Sequence, residues 1–476
     1  YEDIEAYPFH YTEAAAEVIP YAHADGGTPD EAFMEKYASY EDGHGAEKIC
    51  RQVFLHEDCC RQKKYTGNGK KNILLYGGDL DQNGITSALY AMLHELDLTK
   101  YNYFLSFRLI SVKDHPERMD RIPNHIGIYP LSSEMNMDVL TGFSLMRKMR
   151  GANTNSINRR IHIAYHREWK KHFGSTDFSA VIHYNGYEAY ITSLFEESPC
   201  GRTIWVHNDM ADEIRTKGNQ NIYLLREAYQ KYDHIVTVSE DILDSTIHGI
   251  GADPAKVSVV NNCHDYQSVI KRSEETLAFQ ETTKSTVSVD QLSAVLSGND
   301  TKFISIGRYS PEKGHVRLMN AFNTYQASHP DTWLIIIGGV GTLYEDAVAH
   351  AKSLAASDHI ILIYSMQNPM PVLKNCDLFL LSSFYEGRPI VLMEAASLGL
   401  PLMACDVNGC HGFMTEYHGT LTDNSEEGIL HGMQLFAEGK VHPIQIDFDK
   451  INAASAAQTE ALIEDCIHIS HSERTH

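Results

Sequence analysis

At 476 residues the chain is too long for a single hydrophobic core and calls for two or more domains. Its composition, 43% hydrophobic and 22% charged, is that of a globular protein, and 40 Lys+Arg against 63 Asp+Glu leave a formal net charge of −23. So acidic a surface repels phosphodiester backbones, which excludes generic nucleic-acid binding and leaves any phosphate ligand to a few local cations and backbone amides.

Residues 1–66 are acidic and aromatic, with short helical patterns at "EAFMEKYASY" (31–40) and "GAEKICRQVFL" (45–55), and the polar run "RQKKYTGNGKK" (61–71) reads as a linker. Short apolar strands alternating with helical segments follow: "NILLYGG" (72–78), "FLSFRLI" (104–110), "AVIHYN" (180–185), "RTIWVHN" (202–208), "HIVTVS" (234–239) and "VSVVNN" (257–262). Residues 266–300, rich in Ser, Thr, Glu and Lys, read as an interdomain connection. A second series runs through "KFISIGR" (302–308), "TWLIIIGG" (332–339), "HIILIYS" (359–365), "DLFLLSS" (377–383) and "PLMACD" (401–406). Two such series predict α/β architecture: two Rossmann-like domains, 67–265 and 301–451, facing across a cleft, with a terminal helix within 452–476 joined to the first.

No apolar run reaches the length of a membrane span. The nine cysteines contain no C-x-x-C pair and suit a reduced, cytoplasmic protein. Cys59-Cys60 beside His56 lack a second pair to close a metal site, so neither a metal nor a cofactor is expected. Asp79-x-Asp81 forms a D-x-D, a pattern that can hold a metal ion, but Asp447-x-Asp449, far from any cleft motif, shows how readily that pattern arises by chance.

The chemistry concentrates in the second series. In "SSFYEGRPIVLMEAASLGLP" (382–401), Pro389 suits the first turn of a helix, so the amides of Gly387, Arg388 and Ile390 would face the cleft and favour an anion. Glu386 stands just before that helix. Glu394 sits inside it among apolar residues, where a carboxylate is costly unless hydroxyl groups donate to it. In "FISIGRYSPEKGHVRLMNAF" (303–322), Arg308 follows a strand and Lys313 stands at the start of the next helix. Cations there oppose the helix dipole unless a diphosphate lies between them. In the first series, the turn after "NILLYGG" brings the backbone of Gly84 and Ile85 toward the cleft, and the strand end "IWVHND" places His207 at its edge. His183, Tyr184 and Asn185 are weaker candidates for binding an acceptor.

The segments "GRYSPEKGH", "IIIGGVG", "CDLFLLSSFYEGRPIVLMEAASLGLP" and "CDVNG", in that order, resemble the family-4 glycosyltransferases, which have the GT-B fold. The resemblance implies a retaining, metal-independent transfer of a hexose or N-acetylhexosamine from a nucleotide-sugar, most often a UDP-sugar, to a hydroxyl acceptor. It implies that Arg308 and Lys313, with Gly307 beside them, hold the diphosphate, that Glu386 contacts the donor sugar and Glu394 the ribose, and that Tyr364 to Met366 meet the base. It also implies that His207 lies near the acceptor and donor sugar. Where the family carries a glycine-rich turn and a Glu, this chain has "VNGCHGFMTE", which puts contacts there in doubt. Two rivals are a non-catalytic nucleotide-sugar-binding module and a Rossmann oxidoreductase; no G-x-G-x-x-G follows either opening strand.

The N-terminal run "EAFMEKYASYEDGHGAEKICRQVF" is similar, through Tyr37, Asp42, Gly43, Ala46 and Glu47, to the C-terminal end of CDP-glycerol glycerophosphotransferases, the polymerases of teichoic-acid-like chains. That similarity implies the tail of an upstream module in a bifunctional polypeptide, the alternative being an N-terminal extension that packs on the first domain. It further implies a polyol-phosphate polymer or other glycan of cell wall or capsule as acceptor, and peripheral association with the inner face of the membrane.

Overall fold

The computed structural model describes residues 44, 47, 50, 51, 68–81, 83–113, 115–133, 135–218, 220–280, 283–339 and 341–469. The chain divides into two units at Gly69/Lys70. In the first, Glu47, Cys50 and Arg51 are helical and Arg51 pairs with Glu47 at 3.6 Å. The segment 31–40, the His56/Cys59/Cys60 group, and Tyr37, Asp42, Gly43 and Ala46 lie outside the described residues.

The second unit contains two parallel sheets. The first comprises β1 (Lys71–Tyr76), β2 (Tyr101–Ser106), β3 (Gly127–Ile128), β4 (Phe178–His183), β5 (Gly201–Val206), β6 (His234–Thr237) and β7 (Val257–Val259), ordered β3-β2-β1-β4-β5-β6-β7. The second comprises β8 (Thr301–Ile306), β9 (Thr332–Ile337), β10 (Ile360–Ile363), β11 (Leu378–Leu381), β12 (Leu402–Cys405) and β13 (Thr420–Thr422), ordered β10-β9-β8-β11-β12-β13. Helices cover both faces of such sheets, which is why the central strands are near-continuous apolar runs: Ile73 to Tyr76, Leu334 to Ile336 and Leu378 to Leu380 are wholly buried.

The helices that shape the site and its surroundings are α1 (Gly84–Glu95), α2 (Val139–Met149), α3 (Asn155–Phe173), α4 (Tyr266–Ser273), α5 (Val289–Ser297), α6 (His315–Gln326), α7 (Ile390–Ser397) and α8 (Phe448–His468). Between the domains, α5 drives Leu292 into the second core, and residues 284–286 pair with the end of β10, Tyr364 N donating to Lys284 O at 2.8 Å. The last helix returns to the first domain. Its Ile463 and Cys466 enter the first core and Thr203 Oγ1 lies 3.3 Å from Cys466 Sγ, while Phe448 at its start joins the second core. Among the described residues no helix is long and apolar enough to cross a membrane.

Strand order reverses direction between β1 and β4 in one sheet and between β8 and β11 in the other. The crevice beyond the carboxyl ends of strands at such a reversal is where α/β sheets bind ligands. The loops after β1, β4, β8 and β11 carry Gly77 to Gly84, Tyr184 and Asn185, Gly307 to Lys313, and Ser382 to Pro389.

Candidate active site at the interdomain cleft

On the second domain, Lys313 and Glu386 meet as an ion pair, Nζ to Oε1 at 2.5 Å, and Ser383 Oγ donates to the same oxygen at 2.5 Å. Lys313 closes a 3-10 turn (Pro311–Lys313) rather than opening a helix. Gly314 (φ +65°) separates that turn from α6, and a Cβ on it would come 2.4 Å from Ser382 O. The chain therefore doubles back against the β11 loop, which carries the Lys313 amine to Glu386. The aliphatic part of Lys313 lies across Gly307, where a Cβ would stand 3.3 Å from its Cδ. Arg308 is more than half exposed, 3.6 Å from Glu312, and its charge reaches the Tyr187 hydroxyl of the first domain.

The Glu386–Pro389 loop touches the first domain directly. A Cβ on Gly387 would fall 1.8 Å from His207 O, so only glycine allows this approach. Ser239 Oγ donates to Gly387 O at 3.0 Å, and the Tyr385 hydroxyl meets Thr216 Oγ1 at 2.8 Å. Arg388, placed by the sequence among donor-binding residues, is buried: its guanidinium bonds to Asn261 Oδ1 and lies over the Phe413 ring. Burial pulls its pKa down. Its side chain joins the domains instead of lining an open crevice.

The divergent segment "VNGCHGFMTE" backs this loop. Asn408 O accepts from Glu386 N at 3.0 Å, and Gly409 (φ +84°) packs where a Cβ would meet Glu386 O and Gly387 O at 2.3 Å each. Gly412 N donates to both Asp241 carboxylate oxygens, at 3.1 and 3.0 Å. Here the turn supports the loop through backbone contacts.

His207 is buried at the β5 end, its Nε2–H donating to Tyr184 O at 2.6 Å. Nδ1 is then an acceptor, and among the described residues nothing donates to it. Burial lowers the pKa to about 4, so the imidazole is neutral at ordinary pH. His183 and Tyr184 require correction as acceptor ligands. His183 is wholly buried, with Nε2 against Thr192 Oγ1 (3.1 Å) and Nδ1 accepting from Gly186 N (3.3 Å), and Tyr184 packs on Trp205 and His207. Both side chains belong to the core behind the strand end and leave no surface for a ligand. Asn185 is half-buried beside Gly78.

Two helix N-termini confront one another across the crevice. A Cβ on Gly84, the first residue of α1, would lie 3.2 Å from Ile390 Cγ1, the first residue of α7. The amides of Gly84, Ile85, Gly387, Arg388 and Ile390 make no hydrogen bond among the described residues. Opposed positive dipole ends beside Lys313 and Arg308 repel each other until an anion lies between them.

One turn into α7, Glu394 is partly buried and accepts no hydrogen bond among the described residues. Burial raises its pKa, against the opposing charges of Arg272 on α4 and Arg121 of the first domain. Sequence reasoning missed these two arginines because nothing local links them to α7. Tyr364 stands at the end of β10 against Tyr344, Met366 is buried behind it, and Gln367 O accepts from Arg272 at 3.0 Å. The acids of the D-x-D are engaged locally: Ser111 Oγ donates to Asp79 (2.9 Å) and Arg118 pairs with Asp81 (2.7 Å).

Residues 291–442 match the family model of Glycosyl transferases group 1. Similar curated proteins include an uncharacterized glycosyltransferase of Methanocaldococcus jannaschii, 26% identical over 208 residues (43% of this chain, 47% of the relative). Another is the N-acetylgalactosamine-N,N'-diacetylbacillosaminyl-diphospho-undecaprenol 4-alpha-N-acetylgalactosaminyltransferase of Campylobacter jejuni, 25% identical over 187 residues (39% and 45%). The chain spans about half the length of these relatives. Among solved structures, Anabaena HepE in complex with UDP and glucose aligns with a TM-score of 0.55 at 13% identity, covering 85% of this chain and 96% of that one. WaaG, a glycosyltransferase involved in lipopolysaccharide biosynthesis, aligns with a TM-score of 0.52 at 13% identity (84% and 99%). The fold is GT-B, and within it residues 291–442, which make up most of the second domain, match the group 1 glycosyltransferase model.

Proposed function

We propose that this chain transfers a hexose or N-acetylhexosamine from a nucleotide-sugar, with UDP as the nucleotide, to a hydroxyl acceptor, retaining the anomeric configuration and needing no metal ion. The observation that carries this reading is the Lys313–Glu386–Ser383 cluster, which sits beside two opposed helix N-termini whose leading amides make no hydrogen bond among the described residues. Lys313, Arg308 and those amides offset charge building on the departing diphosphate, and the leaving phosphate takes the acceptor proton. His207 Nδ1, an acceptor without a partner among the described residues, receives a hydroxyl of the donor sugar, and Glu394 receives the ribose diol. Retention rests on the family resemblance. A polyol-phosphate or other cell-envelope glycan acceptor rests on the similarity of the N-terminal segment.

Donor hydrolysis and transfer are measured across a panel of nucleotide-sugars, with and without EDTA, offering glycerol-phosphate oligomers and neutral oligosaccharides as acceptors. The expected result is turnover of one UDP-sugar, unchanged by chelation, with an α-linked product by proton NMR. A tenfold loss in EDTA restored by manganese removes metal independence. A β-linked product from an α-linked donor removes retention, and transfer only to the neutral acceptors removes the polyol-phosphate assignment. Absence of turnover with every donor overturns the reading as a whole.

A further inference from the structure

The helix α2 is built inside out. Its inward face carries Thr141, Ser144 and Lys148, all buried: Thr141 Oγ1 donates to Asp138 (2.7 Å), Ser144 Oγ to Leu140 O (2.8 Å), and Lys148 Nζ to Asn158 (3.2 Å) and Glu227 (2.6 Å). Its outward face carries Val139 (88% exposed), Leu140 (62%), Phe143 (56%), Met146 (52%) and Met149 (40%). A helix covered only by water shows the reverse pattern. At 3.6 residues per turn, Val139, Phe143 and Met146 form one stripe, and Arg147 and Arg150 fall on the same outward side.

The charge around this face is opposite to that of the molecule. Leaving aside Lys148, buried against Glu227, and Lys171, paired with Glu168, the exposed charges of 139–173 include Arg147, Arg150, Arg160, Arg167 and Lys170, all basic, in a chain of net charge −23. On the neighbouring helix α3, Arg160, Ile163, Arg167 and Lys170 are exposed at spacings of three and four, so they form one stripe. That stripe lies beside the start of α2: Arg167 Nη2 donates to Asn136 O at 2.6 Å, and the Arg160 charge acts on Asp138, the N-cap of α2.

We propose that α2, with the basic stripe of α3, is a docking surface for an anionic lipid bilayer, α2 lying in the headgroup plane with Phe143 and Met146 toward the acyl chains. The local positive charge selects an anionic partner, which the rest of this acidic molecule repels. The apolar ridge between arginines fits the boundary of headgroups and acyl chains, whereas a nucleic-acid backbone offers nothing for Phe143 and Met146 to enter. This proposal stands apart from the transferase reading, and its test contains no nucleotide-sugar.

The full chain is sedimented with vesicles of phosphatidylcholine alone or with phosphatidylglycerol, at low and high salt. Binding is expected to be at least tenfold tighter to the phosphatidylglycerol vesicles and to weaken with salt. The double variant Phe143→Asp/Met146→Asp is expected to bind at least tenfold more weakly. Arg147→Glu/Arg150→Glu is expected to lose the preference for phosphatidylglycerol. Both should keep the wild-type melting temperature, because the altered side chains point to solvent. Failure of the wild-type chain to bind, or equal binding by wild type and the Phe143/Met146 variant, overturns the proposal. So does a concentration-dependent dimer that this variant abolishes, which would assign the face to a second copy.

Discussion

Lys313 and Glu386 hold each other in a place neither could occupy alone. The carboxylate is buried, and its Oε1 takes hydrogen bonds from both Lys313 and Ser383. A buried charge without its partner costs far more than the pair gains by forming, so the arrangement fixes the amine at one point instead of letting it sweep through solvent. That fixed position is what preorganised stabilisation of a diphosphate requires. Lys313→Ala is therefore expected to cost about 2–4 kcal/mol of transition-state stabilisation, a loss of roughly thirty- to thousandfold in kcat/KM, the order seen on deleting one such donor. Glu394→Ala should act differently. Its carboxylate accepts no hydrogen bond among the described residues and is held above its ordinary pKa by burial, so the loss should appear as weaker nucleotide binding. Nucleotide titration by calorimetry beside steady-state kinetics separates the two effects. If both variants keep wild-type turnover and affinity, the donor lies elsewhere.

At the scale of elements, the junction between domains is a loop against a strand end, with glycine as the spacer. Gly387 lies against the His207 carbonyl, and Gly409 lies behind the carbonyls of Glu386 and Gly387. The clash predicted for a Cβ on Gly387 is with backbone, which cannot rotate away. Gly387→Ala should thus push the loop off the first domain and cost at least tenfold in kcat/KM, while far-UV circular dichroism stays that of the wild type. Wild-type kinetics for this variant would mean that the contact is not part of the working state.

The central strands of both sheets were legible because strands buried on both faces leave continuous apolar runs such as "NILLY" and "TWLIII". The edge strands β3 and β13, two and three residues long, carry no such pattern. Residues 382–394 stood out in the sequence as a candidate site through carboxylates in apolar company. Contacts made only by folding did not: Ser239 on Gly387, Arg272 and Arg121 near Glu394, and the burial of Arg388 lie far apart in sequence. The helix α2 is the sharpest case. Periodicity treats an apolar stripe as the core-facing one, and here a buried lysine network has taken the inner face.

Taken whole, the molecule keeps several histidines neutral and buried: His183, His264 and His315 have pKa values lowered to about 3, and His207 to about 4, burial being the main cause in each. In the unfolded chain each returns to about 6.5. Between roughly pH 6.5 and 4 the unfolded state therefore binds protons that the folded state refuses, and stability falls as the pH falls, by up to about 1.4 kcal/mol per pH unit for each such histidine. Glu188, Glu196 and Glu394, whose pKa values burial raises, oppose this, because their folded forms bind protons more readily than their unfolded ones. The wild-type profile is thus a net of both signs, and one substitution can isolate a single contribution. His315 packs edge-on against Tyr309, with the Lys313 charge lowering its pKa further and the Glu312 charge raising it. His315→Leu removes one refused proton. At pH 7.5 this variant should melt below the wild type, because its shape fits the site less well. The gap between the two melting temperatures should narrow steadily from pH 6.5 to 5, as the wild type alone bears the cost of keeping this imidazole neutral. Differential scanning fluorimetry across that range reads the gap directly. A gap constant with pH would show that His315 titrates alike in both states, and that its burial does not hold it neutral.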